Sequence, residues 1–226
     1  AGTGQGLIEP LLVRAYVTGG YALPYKSVEA AKIPGWAVWK DMAYGTTFEP
    51  AAFVYNKRLL KPEEVPQTHA DFVRIIQQPK FQDKVTTYDI EKSGVGFMFM
   101  SQDEKDFAQF KQLEQAFGVA KVRVQSSTGT MLERISSGEN LIGYNVLGSY
   151  ALVRAKTDPS LGVVLPKDYT LIISRVHFIN KQAKHPNEAK LWTDYVLSQR
   201  GQTVVANGAK LYAIRADVTG ETTSSD

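Results

Sequence analysis

Residues 122–150, VRVQSSTGTMLERISSGENLIGYNVLGSY, decide the fold. A short β-branched run, Val122–Val124, gives way to a Ser/Thr/Gly loop. Thr130 and Glu133 then match a capping box, predicting a helix that runs to Gly138. Leu141–Asn145 reads as an apolar strand, and Gly148-Ser149 precedes a helical stretch ending near Lys156. Strand and helix alternate with no hairpin signal between the strands, which predicts a packed α/β layer.

The rhythm extends on both sides of this stretch. Upstream, Val85–Tyr88 is strand-like and Ser93-Gly-Val-Gly96 opens an apolar helix. A further helix follows, with Phe107, Phe110, Leu113 and Phe117 at near-helical spacing and Gly118 in the place of a C-cap. Thr68–Gln77 reads as a helix with Phe72, Ile75 and Ile76 on one face, and Leu161–Leu165 as a strand ending before Pro166. Ala43–Tyr55 is β-branched and aromatic around Pro50, an extended segment carrying a bend. Leu171–Asn180 is another β-type run. Pro186 starts a helix whose Ala189, Trp192 and Val196 face the core, ending at Arg200-Gly201. Leu7–Val17 is a short helix or strand, and Gly220–Asp226 a polar, frayed tail.

Composition narrows the function. The 226 residues carry 26 basic and 23 acidic side chains, a net charge of +3, too small and dispersed for a nucleic-acid or anionic-membrane footprint. There is no cysteine, which removes disulfides, thiolate catalysis and cysteine-ligated metals. Apolar runs such as Val95–Met100 fall far short of the ~20 residues of a membrane span. The start, Ala1–Gly6, lacks the basic and apolar regions of a signal peptide. No G-x-S-x-G elbow or G-x-x-x-x-G-K-[ST] loop is present, so a nucleophilic or phosphate-handling enzyme finds little support.

Four ordered segments resemble the iron-type extracellular solute-binding proteins of ABC importers. They are Tyr21-Ala-Leu-Pro-Tyr25, Gly45-Thr-Thr-Phe-Glu-Pro-Ala-Ala-Phe-Val-Tyr-Asn56, Ser136-Ser-Gly-Glu139, and Leu197-Ser-Gln-Arg-Gly-Gln202 followed by Asn207-Gly208 and Ile214-Arg215. The resemblance implies a type II periplasmic-binding fold of two α/β lobes joined by crossing hinge strands. Residues 1–56 would hold a lobe 1 remnant and the first hinge strand, 57–167 lobe 2, and 168–226 the return strand and lobe 1 C-terminal helices. Lobe 1 would be incomplete, since the family begins with a β-α-β-α stretch that would precede Ala1. It further implies a periplasmic, non-enzymatic protein that captures a small ligand between its lobes and meets a membrane permease. A ligand-sensing domain of a signalling protein is a competing class.

The loops carry the expected chemistry. Ser126, Ser127, Thr128, Gly129 and Thr130 lead from a strand into a helix, where N–H groups and hydroxyls converge near the positive end of the helix dipole. The same residues suit an ordinary N-cap. Ser93-Gly94 and Gly148-Ser149 repeat the arrangement at two other helix starts. In the iron-binding members adjacent tyrosines ligate the metal at about Gly148-Ser149. Here Tyr144 and Tyr150 flank that point without being adjacent, so the donors favour an anionic organic ligand, a carboxylate or phosphate ester, over ferric ion. Arg175, within the return run, either meets that anion or pairs with Glu49 or Asp168. The expected ligand-facing set is completed by Thr47, Glu49, Tyr88 and Asn145. His69, His177 and His185 lack metal-ligand spacing and are read as structural or solvent-facing, with no metal or cofactor expected.

Overall fold

The computed structural model describes residue 17 and residues 19–209 and 211–220. The element expected at Leu7–Val17, apart from Val17, and the tail beyond residue 220 lie outside the described residues. In chain order the strands are β1 (Val38–Trp39), β2 (Ala43–Gly45), β3 (Glu49–Asn56), β4 (Val85–Tyr88), β5 (Arg123–Gln125), β6 (Ile142–Leu147), β7 (Leu161–Val164), β8 (Ile172–Ile173) and β9 (Val176–His177). The α-helices are α1 (His69–Ile76), α2 (Gly94–Asp106), α3 (Phe110–Val119), α4 (Thr128–Ser137), α5 (Gly148–Thr157), α6 (Pro186–Leu197) and α7 (Gln199–Asn207). The chain divides into two compact units. One is Pro50–Ile172; the other combines the described residues up to Glu49 with those from Ile173 onward.

In the first unit one sheet runs in the order β5-β4-β6-β3-β7, with β8 also paired to β3. β4 is parallel to both β5 and β6, whereas β3 is antiparallel to β6 and β7. The strands β4 and β6 are buried throughout, the continuous burial of a sheet covered on both faces. Thr68 caps α1 by accepting the Asp71 N–H at 3.1 Å, which turns Phe72, Ile75 and Ile76 into the core. There Phe53 stacks on Tyr144 at 5.6 Å and Phe72 lies 4.9 Å from the same ring. Each such side chain contributes roughly 1.5–3 kcal/mol by leaving water.

The second unit holds the antiparallel sheet β1-β2-β9 and helices α6 and α7. Its joints are the residues that carried the family resemblance. Ser198 caps α7 by accepting the Gly201 N–H at 3.1 Å, and a Cβ at Gly201 would strike the Tyr195 carbonyl oxygen. Gln202 is buried and donates to the carbonyls of Thr46 (3.1 Å) and Val196 (3.0 Å), while its own oxygen accepts the Ile214 N–H at 2.8 Å. Arg215 is 2% exposed and donates to Glu29 (2.8 Å), Asp217 (2.6 Å) and the Leu197 carbonyl (3.2 Å). In the first unit, likewise, Asn56 donates to the Ile135 carbonyl at 2.7 Å, and Gly138 closes α4 with a left-handed φ of 82°.

Several sequence expectations are corrected. Gly118 lies inside α3, which runs on to Val119, and Phe107 caps the preceding helix instead of starting the next. Helix α4 starts ahead of the Thr130 capping box, because Ser127 leaves β5 in extended geometry and takes the Thr130 N–H at 3.2 Å. The Pro186 helix stops at Leu197, and Arg200-Gly201 belongs to α7. Trp192 is 57% exposed and stacks on Tyr195 at 5.6 Å; the inward residues of α6 are Thr193 and Leu197, about one 100° step round the helix. The run Leu171–Asn180 breaks into β8, β9 and an isolated bridge from Asn180 to Ala22. The bent segment Ala43–Tyr55 resolves into β2 and β3, strands of different sheets.

Candidate functional site

Three neighbouring parallel strands of the first unit each run directly into a helix. β4 feeds α2, β5 feeds α4 and β6 feeds α5, so the three helix starts lie along the edge defined by the strands' C-terminal ends. The first turns hold N–H groups without intrahelical partners. Ser93 takes the Gly96 N–H (3.2 Å) and Ser127 that of Thr130, leaving Gly94, Val95, Thr128 and Gly129 at the tips. Helix α5 starts at Gly148 with Leu147 in the N-cap position, a side chain with no capping oxygen.

Packing locks these starts to one another. Tyr88, 3% exposed at the end of β4, hydrogen-bonds the Thr128 hydroxyl at 2.6 Å, and a Cβ at Gly96 would collide with the Tyr88 Cβ. One tyrosine therefore sets the starts of both α2 and α4. At α5 a Cβ on Gly148 would lie 2.8 Å from the Pro50 carbonyl oxygen and 3.0 Å from its Cγ, so only glycine lets the helix begin there.

Hence Tyr88, Ser93, Gly94, Ser126, Ser127, Thr128, Gly129, Thr130, Gly148 and Ser149 gather at one rim. Their hydroxyls, however, serve the structure. Ser127 is an N-cap bonded to Thr130, Thr128 is bonded to Tyr88, and Ser149 is fully buried. Asn145 turns inward, where its Nδ2 meets Asp103 at 2.6 Å. Thr47, Glu49 and Arg175 form a cluster of their own in the second unit. Arg175 Nε donates to Glu49 at 2.8 Å, and the Thr47 hydroxyl donates to Glu49 at 2.8 Å while accepting the Arg175 N–H at 3.0 Å. The other carboxylate considered for Arg175, Asp168, instead faces His69, whose Nδ1 is 3.0 Å away.

A buried network behind the rim escaped the sequence reading. Asp103, fully buried on α2, accepts hydrogen bonds from Tyr169 (2.7 Å), Tyr144 (2.9 Å) and Asn145. Burial pushes its carboxyl above the ordinary value, against these hydrogen bonds and the nearby His69. Burial likewise raises Tyr144 and Tyr169, with the Asp103 charge adding to it. His69 stacks flat on Tyr169 at 4.0 Å. The available signal was a charge on an apolar stripe: Gly96, Phe99 and Asp103 share the inward face of α2. Among the described residues no group of three or more His, Asp or Glu side chains is placed to hold a metal ion, and no helix is long and apolar enough to cross a membrane. Of the two tyrosines flanking Gly148-Ser149, Tyr144 is fully buried and Tyr150 is 42% exposed.

The family profile described as bacterial extracellular solute-binding protein matches residues 9–222. The chain belongs to this family. Among solved structures, this chain is similar to the substrate-binding protein of an ABC transporter from Agrobacterium tumefaciens, at 38% identity and a TM-score of 0.86 over 95% of its length. It spans 64% of that protein's length. The periplasmic binding protein AfuA of Actinobacillus pleuropneumoniae, with exogenous fructose-6-phosphate bound, matches at 20% identity and a TM-score of 0.74, covering 92% of this chain and 67% of that one. Iron-bound HitA of Pseudomonas aeruginosa matches at 14% identity and a TM-score of 0.73, covering 92% and 68%. No curated protein sequence matches. The chain thus has the type II periplasmic-binding fold that the resemblance implied.

Proposed function

We propose that this chain is part of the periplasmic binding component of an ABC importer, a non-enzymatic protein that captures a small organic anion and delivers it to a membrane permease. In this reading residues 57–167 are lobe 2 and the flanking segments belong to lobe 1. The observation that carries the anion class is the alignment of three helix starts, those of α2, α4 and α5, along one sheet edge. Partial positive charge from each helix dipole adds to first-turn donors held in place by Tyr88 and Pro50. Hydrogen bonds to a charged acceptor contribute about 1.5–3 kcal/mol each, so two or three supply about 3–9 kcal/mol against the about 8 kcal/mol of a micromolar affinity, and contacts to the rest of the solute add to them. A carboxylate or phosphate ester fits these donors. The fructose-6-phosphate held by AfuA is an anion of this class.

The test is mass spectrometry of small molecules released when the purified chain is denatured. The proposal expects a stoichiometric carboxylate or phosphate ester. A neutral or cationic solute, or ferric ion with a tyrosinate absorption band, would overturn it.

A further inference from the structure

Strand β6 changes register against β3 just before it reaches the rim. Ala52 pairs with Val146 but Val54 pairs with Gly143, so Tyr144 and Asn145 together stand opposite Phe53. The extra residue is a bulge, and Asn145 occupies it with φ of +53°, a left-handed conformation that asparagine tolerates better than other side chains except glycine. A bulge bends its strand, so the direction in which β6 delivers Gly148, Ser149 and Tyr150 depends on how this one is held. It is held from two sides. The Thr87 hydroxyl of β4 donates to the Tyr144 carbonyl at 3.2 Å, and Asp103 of α2 takes both the Tyr144 hydroxyl and the Asn145 amide on a single oxygen.

We infer that Asp103 is a positioning residue of the binding rim: from within the core it fixes the Asn145 bulge, and through it the aim of the first turn of α5, while its own helix supplies the Ser93-Gly94 start. This rests on the proposed anion site. Asp103 touches no ligand. The hydrogen-bonded geometry joins two of the three helix starts to one carboxylate, and the third is joined to α2 by Tyr88. The groups acting on Asp103 are Tyr144 and Asn145 on β6, His69 on α1 and Tyr169 in the segment after β7, and Asp168 and Asp106 act in turn on Tyr169. Asp168 is engaged by His69 and Tyr169 by Asp103 itself. Because burial raises the Asp103 carboxyl, its ionisation falls above the ordinary aspartate value.

The experiment follows backbone amide resonances of the 226-residue chain and its affinity for inorganic phosphate. In the parent, the amides of Asn145, Gly148, Ser149 and Tyr150 should titrate together with a midpoint above the ordinary aspartate value, and Asp103→Asn should abolish that titration. Asn145→Gly keeps the left-handed backbone but removes the Asn145 tether to Asp103, leaving that of the Tyr144 hydroxyl. It should move the Gly148–Tyr150 amides and weaken phosphate about tenfold, and should lower the melting temperature, because the buried Asp103 carboxylate loses a donor, with unfolding still cooperative. Asp103→Asn, which retains one accepting oxygen, should lose less. If the rim amides do not move in Asn145→Gly, and titrate alike in the parent and Asp103→Asn, the positioning role is wrong. Failure of the parent to bind phosphate counts against the anion site alone, because the amide measurements need no ligand.

Discussion

Ser127→Asp separates the two roles that the α4 start can have. Ser127 is exposed and caps the helix by accepting the Thr130 N–H at 3.2 Å. Aspartate is as good a cap as serine and its charge suits a helix N-terminus, so stability should stay within about 0.5 kcal/mol of the parent. Ligand binding should respond differently. A carboxylate at this position would face an anion bound at the Thr128 and Gly129 N–H groups. Two like charges about 4 Å apart repel by about 1 kcal/mol in water and about 4 kcal/mol at an effective dielectric of 20. The exposure of Ser127 places the effect toward the lower figure, roughly a five- to tenfold loss of affinity. The loss should shrink as salt rises toward 0.1 M, where the Debye length falls to about 10 Å. Isothermal calorimetry with citrate and inorganic phosphate at low and moderate salt, beside thermal melts, reads both effects. Ser127→Ala is the complement: it should cost about 1 kcal/mol of stability and change affinity only a few-fold. A Ser127→Asp variant that binds both anions as tightly as the parent at low salt would show that no anion sits at the α4 start.

Three other outcomes are expected. Gly148→Ala forces a Cβ to 2.8 Å from the Pro50 carbonyl oxygen, and should destabilise the chain by about 1–3 kcal/mol in denaturant melts as well as displace the α5 start. Arg215→Met leaves Glu29 without its buried partner; because Asp217 is half exposed and can be resolvated, the loss in urea unfolding should be about 2–3 kcal/mol, below that of a wholly buried pair. The raised Asp103 carboxyl makes its ionisation unfavourable to folding, so its contribution is fully present below the unfolded value and is lost as pH rises through the folded one. Melting temperatures of the parent should therefore fall relative to Asp103→Asn as pH rises above the ordinary aspartate value of about 4, and a gap that stays constant or moves the other way contradicts the sign.

The alternating order of strands and helices between Val85 and Val164 was readable because each element carries its own apolar period and its own stop. Ser93 and Ser127 cap helices and Gly138 ends one, as local chemistry dictates. The family motifs were readable for a related reason: Asn56, Gln202 and Arg215 each hydrogen-bond backbone or charged groups distant in sequence. What local patterning leaves undetermined is which of two adjacent caps or faces is used. Thr130 and Ser127 both fit a helix start, and a face containing Trp192 is only about 100° from the one containing Thr193. Tertiary packing makes that choice. The rim residues were readable as loop chemistry, but the engagement of Thr128 by Tyr88 and of Asn145 by Asp103 spans 40 and 42 residues of sequence. No single segment encodes such a pairing.

An anionic solute seated on the starts of α2, α4 and α5 would act on their first-turn amides. Titrating the retained solute, or inorganic phosphate in its place, into isotopically labelled chain while following backbone amides tests this directly. The largest shifts are expected at Gly94 and Val95, Thr128 and Gly129, and Gly148 to Tyr150, saturating together at one equivalent. Saturable binding that leaves these amides still and moves others would contradict it.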